Sequence, residues 1–214
     1  MRRLTTAVFR TACRHWPVTR GRGWLLRAAR RANGDRLVRF PIGRGAFMEG
    51  SLDDWMIIWA FIGLHERDAP FQRSLEWLPG ADVAFDIGAH VGVWSLLAAR
   101  SNPAARIHAF EPSPNTVERL SHHVRLNGAS QIVVNPVAVG AEPGTQQFFA
   151  VPLQNTGASS FYARRPDQTE TRVPVVTLDA YVERERLERV DMMKVDVEGA
   201  EMLVFEWTRR LLAS

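Results

Sequence analysis

Cysteine and long apolar runs are scarce in this chain of 214 residues. Its single cysteine, Cys13, rules out an internal disulfide, argues against a structural zinc site and fits a reducing compartment. The apolar run from Trp55 to Leu64 has ten residues, which is too few to cross a bilayer. Arg10 and Arg14 interrupt the N-terminal region, so it lacks the apolar core of a signal peptide. We therefore predict a cytoplasmic protein.

Lysine is scarce too, and so are acidic residues in the N-terminal region. Lys194 is the single lysine among 27 basic residues. Because physical chemistry demands no such bias on a surface, we interpret it as the codon usage of a GC-rich bacterial genome. Residues 1–39 hold eleven Arg and one acid, Asp35, a net charge of +10, whereas the other 175 residues hold 16 basic and 22 acidic groups, a net charge of −6. The high pI therefore belongs to an N-terminal extension, which we place at residues 1–44.

Three interpretations of this basic extension stay open. It is a poorly ordered arm, a membrane-surface helix attracted to anionic lipid, or an organelle transit peptide. Nucleic-acid binding is a weaker interpretation than these three, because no recognised RNA or DNA fold accompanies the charge. We expect no nucleic-acid partner, and we expect any membrane association to be a peripheral contact made by this extension.

A strand, a glycine turn and a helix are predicted at residues 83–94. Residues 83–87 are apolar and rich in β-formers, which is typical of a central parallel strand. Gly88 and Gly92 bracket the turn, where a glycine permits positive φ and the close approach of a ligand. The helix predicted over residues 91–99 would present its N-terminal amides to that ligand.

The residues of this turn indicate the kind of ligand. A dinucleotide fingerprint needs glycines at positions 90 and 93, but His90 and Val93 stand there, and no P-loop motif is present. Asp86 would repel a pyrophosphate and hold an amino group. Glu111 follows the next predicted strand, residues 106–110, where nucleoside-binding α/β units carry the carboxylate that accepts ribose hydroxyls. These residues predict a pocket for a nucleoside with a cationic tail, a description that S-adenosylmethionine fits.

A charged strand is predicted at residues 191–197. Period-two alternation places its side chains on two faces, with Met193, Val195 and Val197 on one and Met192, Lys194, Asp196 and Glu198 on the other. Charges at the carboxyl end of a buried parallel strand indicate a ligand site, because ligands of open α/β sheets bind there. A structural pair between the lysine and a carboxylate is the alternative, and both interpretations can hold together.

Our hypothesis gives these charged residues catalytic roles. Asp196 would act as the base or orient an acceptor hydroxyl, while Lys194 and Glu198 fix its position and charge. Alternatively, Asp196 and Glu198 could hold a divalent cation that acidifies the hydroxyl, but two carboxylates without a clear third ligand are a weak metal signature. We therefore predict no metal site.

Further signals outline the other elements. Asp53 and Asp54 indicate a helix start, and Pro114 and Gly128 are typical of the first residue and the C-cap of a helix. Residues 132–139 predict a third strand, broken at 135–136. Two antiparallel strands are predicted at residues 146–151 and 172–176. The polar excursion between them is either an acceptor-binding lid, containing Gly157 to Ser160, or a solvated linker.

Five motifs resemble, in order, those of the FkbM family of S-adenosylmethionine-dependent methyltransferases. They are Asp-Ile-Gly-Ala-His-Val-Gly at 86–92, Phe-Glu-Pro at 110–112, Ala-Val-Gly at 138–140, Thr-Leu-Asp at 177–179 and Lys-Val-Asp-Val-Glu-Gly-Ala-Glu at 194–201. The first is shared by most class I methyltransferases, whereas the last is much more specific to the family. His90 departs from the pattern, since the family usually has Asn there.

The resemblance covers roughly Gly45 to the C-terminus and implies a Rossmann-like α/β sheet with helices on both faces. It implies a methyltransferase domain at residues 45–214 that binds S-adenosylmethionine and methylates a hydroxyl of a sugar, glycan or polyketide. The alternative is a truncated binding module with weak or no activity. The implied cofactor contacts are Asp86, Gly88, Ala89, His90, Gly92, Glu111, Pro112 and Val139.

The last predicted element is a helix at residues 200–213. The family that the chain resembles has further strands on this side, and this sequence lacks them, so we expect an incomplete sheet with an apolar edge. Such an edge would favour a homodimer.

Overall fold

The computed structural model describes residues 8–12, 22–34, 36–150, 169–197, 201–202, 204 and 208. Its first elements, in chain order, are α1 (Arg22–Asn33), β1 (Val38–Gly43), β2 (Ala46–Gly50), α2 (Trp55–Phe61), α3 (Ala69–Glu76), β3 (Val83–Ile87), α4 (Val93–Ser101) and β4 (Arg106–Phe110). The later elements are α5 (Pro114–Asn127), β5 (Ile132–Asn135), β6 (Ala138–Val139), β7 (Gly144–Ala150), β8 (Thr169–Val176), α6 (Leu178–Glu185) and β9 (Met192–Val195).

A parallel sheet of four strands, in the order β5–β4–β3–β9, forms the centre of the fold. In this sheet Asp86 of β3 is in register with Ala109 of β4 and with Lys194 of β9. Within the described part of the chain, β9 is an edge strand. The predicted α/β class is confirmed. That the sheet lacks further strands beyond β9 stays a prediction.

The sheet separates two apolar layers, because alternate residues of each strand face opposite sides. Phe85 of β3 packs with Tyr181 of α6 on one side. On the other side Ala84 belongs to the core that contains Leu96 of α4. Helices therefore cover both faces, as predicted. The predicted alternation of residues 192–197 is also confirmed, since Met193, Val195 and Val197 join the first layer and Met192 the second.

The hairpin formed by β1 and β2 joins this core. Phe40 and Ile42 are buried in the same cluster as Leu97 of α4, and the Phe40 ring meets the Phe61 ring edge-on at 5.2 Å between centroids. The boundary predicted between residues 44 and 45 passes through this hairpin. Hydrophobic burial thus ties part of the predicted extension to the α/β core.

Helix ends follow the predicted capping signals. Asp54 caps α2, because its Oδ1 accepts hydrogen bonds from the amides of Met56 (2.7 Å) and Ile57 (3.1 Å). Pro114 opens α5, and Gly128 ends it with a φ of +58°. In contrast, α4 begins at Val93, two residues later than predicted, because the left-handed residues His90 and Gly92 belong to the turn.

The predicted third strand is divided between two sheets. β5 ends at Asn135, and β6 pairs with β8 in a separate three-stranded sheet of order β6–β8–β7. β7 and β8 are antiparallel, with Gln146 opposite Val173, which confirms the predicted pairing. Gly157 to Ser160, in the predicted lid, lie outside the described residues. In the described portion, no helix has the length and apolar composition needed to cross a membrane.

Candidate functional site

The glycine turn after β3 has the positive φ angles that the sequence predicts. They are +78° at Gly88 and +88° at Gly92. A Cβ added to Gly88 would lie 1.9 Å from the carbonyl oxygen of Asp196, and one added to Gly92 would lie 2.5 Å from Cδ1 of Leu120. The glycines are therefore required by the packing of the chain against itself. The expectation that they also make room for a ligand stays a prediction.

The turn is anchored to the end of β4. The amides of Gly88 and Ala89 both donate to the carbonyl oxygen of Phe110, at 3.0 and 2.9 Å. The amide of His90 donates to Oε2 of Glu111 at 2.9 Å. Three consecutive amides thus hold the turn in one position, which suits a binding loop.

Asp86 is fully buried, and both of its oxygens have protein partners. Its Oδ2 accepts a hydrogen bond from Oγ of Ser95 at 2.6 Å, and its Oδ1 lies 3.0 Å from Nζ of Lys194. Asp86 therefore binds an amine of the protein at the position where the sequence predicts the amine of a ligand. The Ser95 contact was not predicted, although Ser95 is the polar residue within the apolar stretch that opens α4.

Lys194 connects three groups of the site. Its Nζ lies 3.0 Å from Asp86 Oδ1, 3.2 Å from the Gly88 carbonyl oxygen and 3.5 Å from Asp196 Oδ2. Burial by itself lowers the pKa of Lys194, but the carboxylates of Asp86 and Asp196 outweigh it and raise that pKa. Lys194 is thus an ammonium group whose three protons have acceptors within reach. The predicted lysine–carboxylate pair is present.

Asp196 follows β9 directly, and its amide donates to the carbonyl oxygen of Ile87 at 3.0 Å. Its side chain is 66% exposed and lines a cavity. An accessible carboxylate at the carboxyl end of a parallel strand is the geometry that the predicted base requires, and its catalytic role stays a prediction. Glu198 lies outside the described residues.

Glu111 stands at the end of β4 with 6% of its surface exposed. Its Oε1 accepts from the amide of Ser113 at 2.9 Å, as Oε2 does from His90. Burial disfavours the charged form and raises the pKa of Glu111 to about 7, although these two amides and Lys194 oppose the shift. Each oxygen keeps a lone pair for a further donor.

Two further residues of the predicted cofactor site lie beyond Glu111. Pro112 is half-buried directly after it. Val139 packs against the apolar cluster that contains Phe110. Both therefore stand near the carboxyl end of β4.

A cavity of about 230 Å³ adjoins the turn on the side of β9. Its walls come from α2, α3, the turn, the start of α4 and the end of β9, and they include Trp55, Met56, Trp59, Asp68, Phe71, Gly88, Ala89, His90, Val91, Val93, Trp94, Lys194 and Asp196. Glu111 is not among them. The aromatic wall from α2 and α3 was missed, because the run at 55–64 is uniformly apolar and predicts only a covering helix. The spacing of Trp55 and Trp59, one helical turn apart, was the available signal.

Metal ligands do not cluster in the site as described. Across the residues with described positions, no group of three or more His, Cys, Asp or Glu side chains is arranged to hold a metal ion.

Comparisons with known proteins agree with one another. The family profile "Methyltransferase FkbM domain" matches residues 86–213, more than half of the chain. Methyltransferase 1 of Beauveria bassiana is 30% identical over 58% of this chain and 57% of its own length. The 31-O-demethyl-FK506 methyltransferase FkbM of Streptomyces tacrolimicus is 28% identical over 62% of this chain and 61% of its own. Hexuronic acid methyltransferase AglP of Haloferax volcanii is 26% identical over 73% and 62%. The chain thus matches about three fifths of the length of these relatives.

Proposed function

This chain belongs to the FkbM family of methyltransferases, and we propose that it transfers a methyl group from S-adenosylmethionine to a hydroxyl of a sugar, glycan or polyketide-type acceptor. Relatives named for 31-O-demethyl-FK506 and for a hexuronic acid support this range of acceptors. We propose that the acceptor is a small molecule or a glycan.

The position of the glycine turn carries the proposal. Gly88 to Val91 line the cavity, while the amide of His90 is bound to Glu111 at the end of the neighbouring strand. Because β3 lies between β4 and β9, a ligand held at Glu111 would pass over the turn toward Asp196. A nucleoside with a reactive tail has this extended form.

The residues present fit S-adenosylmethionine along this path. The remaining lone pairs of Glu111 would accept the ribose hydroxyls, and Pro112 and Val139 offer apolar surface beside the adenine. The first turn of α4 lacks a side-chain cap at Gly92, and Val93 and Trp94 line the cavity, so its amides are available to a carboxylate. When bound, the cofactor supplies a methyl group activated by a sulfonium.

Asp196 would remove the proton of the acceptor hydroxyl. Its carboxylate lies 3.5 Å from Lys194, and Lys194 is fixed in turn by Asp86 and the Gly88 carbonyl. In this assignment Asp86 and Lys194 position the turn and the base, and Asp196 acts on the acceptor. Turnover near the normal rate in Asp196→Asn, in a folded enzyme, would reject this role.

Calorimetric titration with S-adenosylmethionine tests the cofactor assignment. Binding by the wild type should be lost in Glu111→Ala and kept in a control, Glu118→Ala, whose side chain is exposed on α5. No binding by a folded wild-type sample would reject the proposal.

A second candidate is a module that binds S-adenosylmethionine with little or no transfer. This candidate is favoured by the position of β9 at the edge of the described sheet, because the proposed base, Asp196, directly follows that edge strand. Binding without methylation of any acceptor in the proposed range would support this candidate.

A further inference from the structure

Two tryptophans form one wall of the cavity. Trp55 and Trp59 lie one turn apart on α2 and both line the cavity, because residues four apart share a helix face. Trp59 is held by ring contacts with Phe71 (5.8 Å between centroids) and His65 (5.5 Å). His65 is fixed in turn, as its Nε2 hydrogen-bonds the Ile42 carbonyl oxygen at 2.8 Å. The Trp59 ring, the inner part of this aromatic platform, is therefore held in one position.

Trp55 lies at the open side of this platform with 50% of its surface exposed. A large aromatic ring that stays half in water beside a cavity is a frequent anchor for a ligand. Since the ring is flat, it favours a ligand with a flat apolar face. A pyranose presents such a face through its axial C–H groups.

The charges of the cavity determine which sugars it accepts. Asp68 lines the cavity, and its Oδ1 caps α3 through the amide of Phe71 at 3.0 Å. Asp196 is a second lining carboxylate, and the ammonium of Lys194 is shared between Asp196 and the buried Asp86. Three carboxylates thus face one ammonium. This excess of negative charge accepts hydrogen bonds from hydroxyls and opposes an anionic ligand.

We propose that the part of this cavity lined by Trp55, Trp59, Asp68 and Asp196 is the acceptor site, that the part lined by the glycine turn is left to the cofactor, and that the acceptor site selects an uncharged sugar over an acidic one. The inference rests on the proposed function and names its acceptor class. The sugar ring lies against Trp55 and Trp59, and its hydroxyls donate to Asp68 and Asp196. One acceptor oxygen forms the new bond to the methyl carbon while the methyl–sulfur bond breaks. That bond's electron pair stays on sulfur, and Asp196 takes the hydroxyl proton.

Saturation-transfer NMR tests the proposal with matched sugars. The probes are the methyl glycosides of glucose, galactose and mannose, together with methyl glucuronide and methyl galacturonide, each measured with and without S-adenosylhomocysteine. We expect saturation of the ring protons of at least one neutral glycoside and much weaker transfer to its uronide. Asp68→Asn should increase the uronide signal, because it removes one negative charge from the wall.

Trp55→Ala should weaken binding of that glycoside about tenfold, and Trp55→Phe should keep part of it. The matched control is Trp77→Ala, because Trp77 is 68% exposed and does not line the cavity. Thermal melting of all the variants checks their folding. Equal binding by Trp55→Ala and Trp77→Ala would overturn the inference. Binding of a uronide as strong as that of its neutral sugar would do so too.

Calorimetry with S-adenosylmethionine separates this inference from the proposed function. If the cofactor binds and none of the sugars does, the inference is wrong and the proposed function stands. If a neutral sugar binds through Trp55 and the cofactor does not bind, the acceptor cavity stands and the methyl-transfer proposal fails.

Discussion

Glu111 combines burial with a proposed contact to the cofactor ribose that needs its charged form. Its pKa is raised to about 7, so ionisation within the folded protein costs free energy. Its contribution to stability is therefore greatest at low pH and declines as the pH rises through 7. Cofactor affinity should change in the opposite direction, because only the carboxylate leaves a lone pair on each oxygen for the ribose hydroxyls.

We predict that S-adenosylmethionine binds about tenfold more weakly at pH 6 than at pH 8, since about a tenth of Glu111 is ionised one unit below its pKa. Isothermal titration calorimetry at both values measures this ratio. Glu111→Gln should bind weakly, with a pH dependence that reflects only the amino group of the ligand. An identical pH dependence in wild type and variant would remove Glu111 from the ribose contact.

At the scale of elements, Gly88 controls how closely the turn approaches β9. Gly88→Ala would place a Cβ 1.9 Å from the backbone of Asp196, at a φ of +78°. We expect a loss of at least about 2 kcal/mol in the free energy of unfolding, together with weaker cofactor binding, because the Lys194 bond to the Gly88 carbonyl is strained. Urea unfolding and calorimetry measure both effects. Gly80→Ala is the control, since no atom lies within 4 Å of its added Cβ, and a similar loss there would contradict the argument.

A second contact between elements joins β4, β5 and α6. The Tyr181 hydroxyl donates to Asn135 Oδ1 at 2.9 Å and lies 2.6 Å from Nδ1 of His108. Burial, and secondarily Arg106, lower the pKa of His108 to about 4. Because the folded protein holds this histidine neutral, its contribution to stability is complete above the ordinary pKa of 6.5 and is lost as the pH falls toward 4.

The expected loss from His108 is about 2 kcal/mol between pH 7.5 and pH 5. His108→Gln, which does not titrate, should lose correspondingly less stability over that interval, although it is less stable at pH 7.5. Urea midpoints of both proteins at the two pH values test this difference. Parallel losses in the two proteins would place the titrating group elsewhere.

At the scale of the whole molecule, the uneven charge gives the clearest prediction. Residues 1–39 carry a net charge of +10, and α1 displays exposed arginines at positions 27 and 31. We expect the protein to float with vesicles that contain anionic lipid at low salt and to be released at high salt. Each basic residue near such a surface contributes about 1 kcal/mol.

The double variant Arg27→Gln, Arg31→Gln should therefore bind vesicles about thirtyfold more weakly, whereas Arg73→Gln, on the exposed surface of α3, should have little effect. Equal flotation with neutral vesicles would contradict an electrostatic arm.

Sedimentation of the same samples would test the proposed homodimer along β9.

Local signals predicted much of this fold. The strand at 83–87, the cap at Asp54 and the C-cap at Gly128 depend on residues a few positions apart, so the sequence alone reveals them. The alternation around Lys194 follows for the same reason, since neighbouring side chains of a strand face opposite sides. The family is likewise identified by the order of the motifs along the chain, because that order does not depend on how the chain folds.

Contacts between residues that lie far apart in the sequence depend on the tertiary structure. Asp86 meets Lys194 across 108 positions because β3 and β9 are neighbours in register, and this pairing gives the acid a protein amine as its partner. The close approach of the Asp196 backbone leaves room only for glycine at position 88. The aromatic wall of Trp55 and Trp59 meets the turn only after α2 packs against the β1–β2 hairpin. Residue type and spacing thus determine local conformation and chemistry, whereas the partner of each buried charge depends on packing across the sheet.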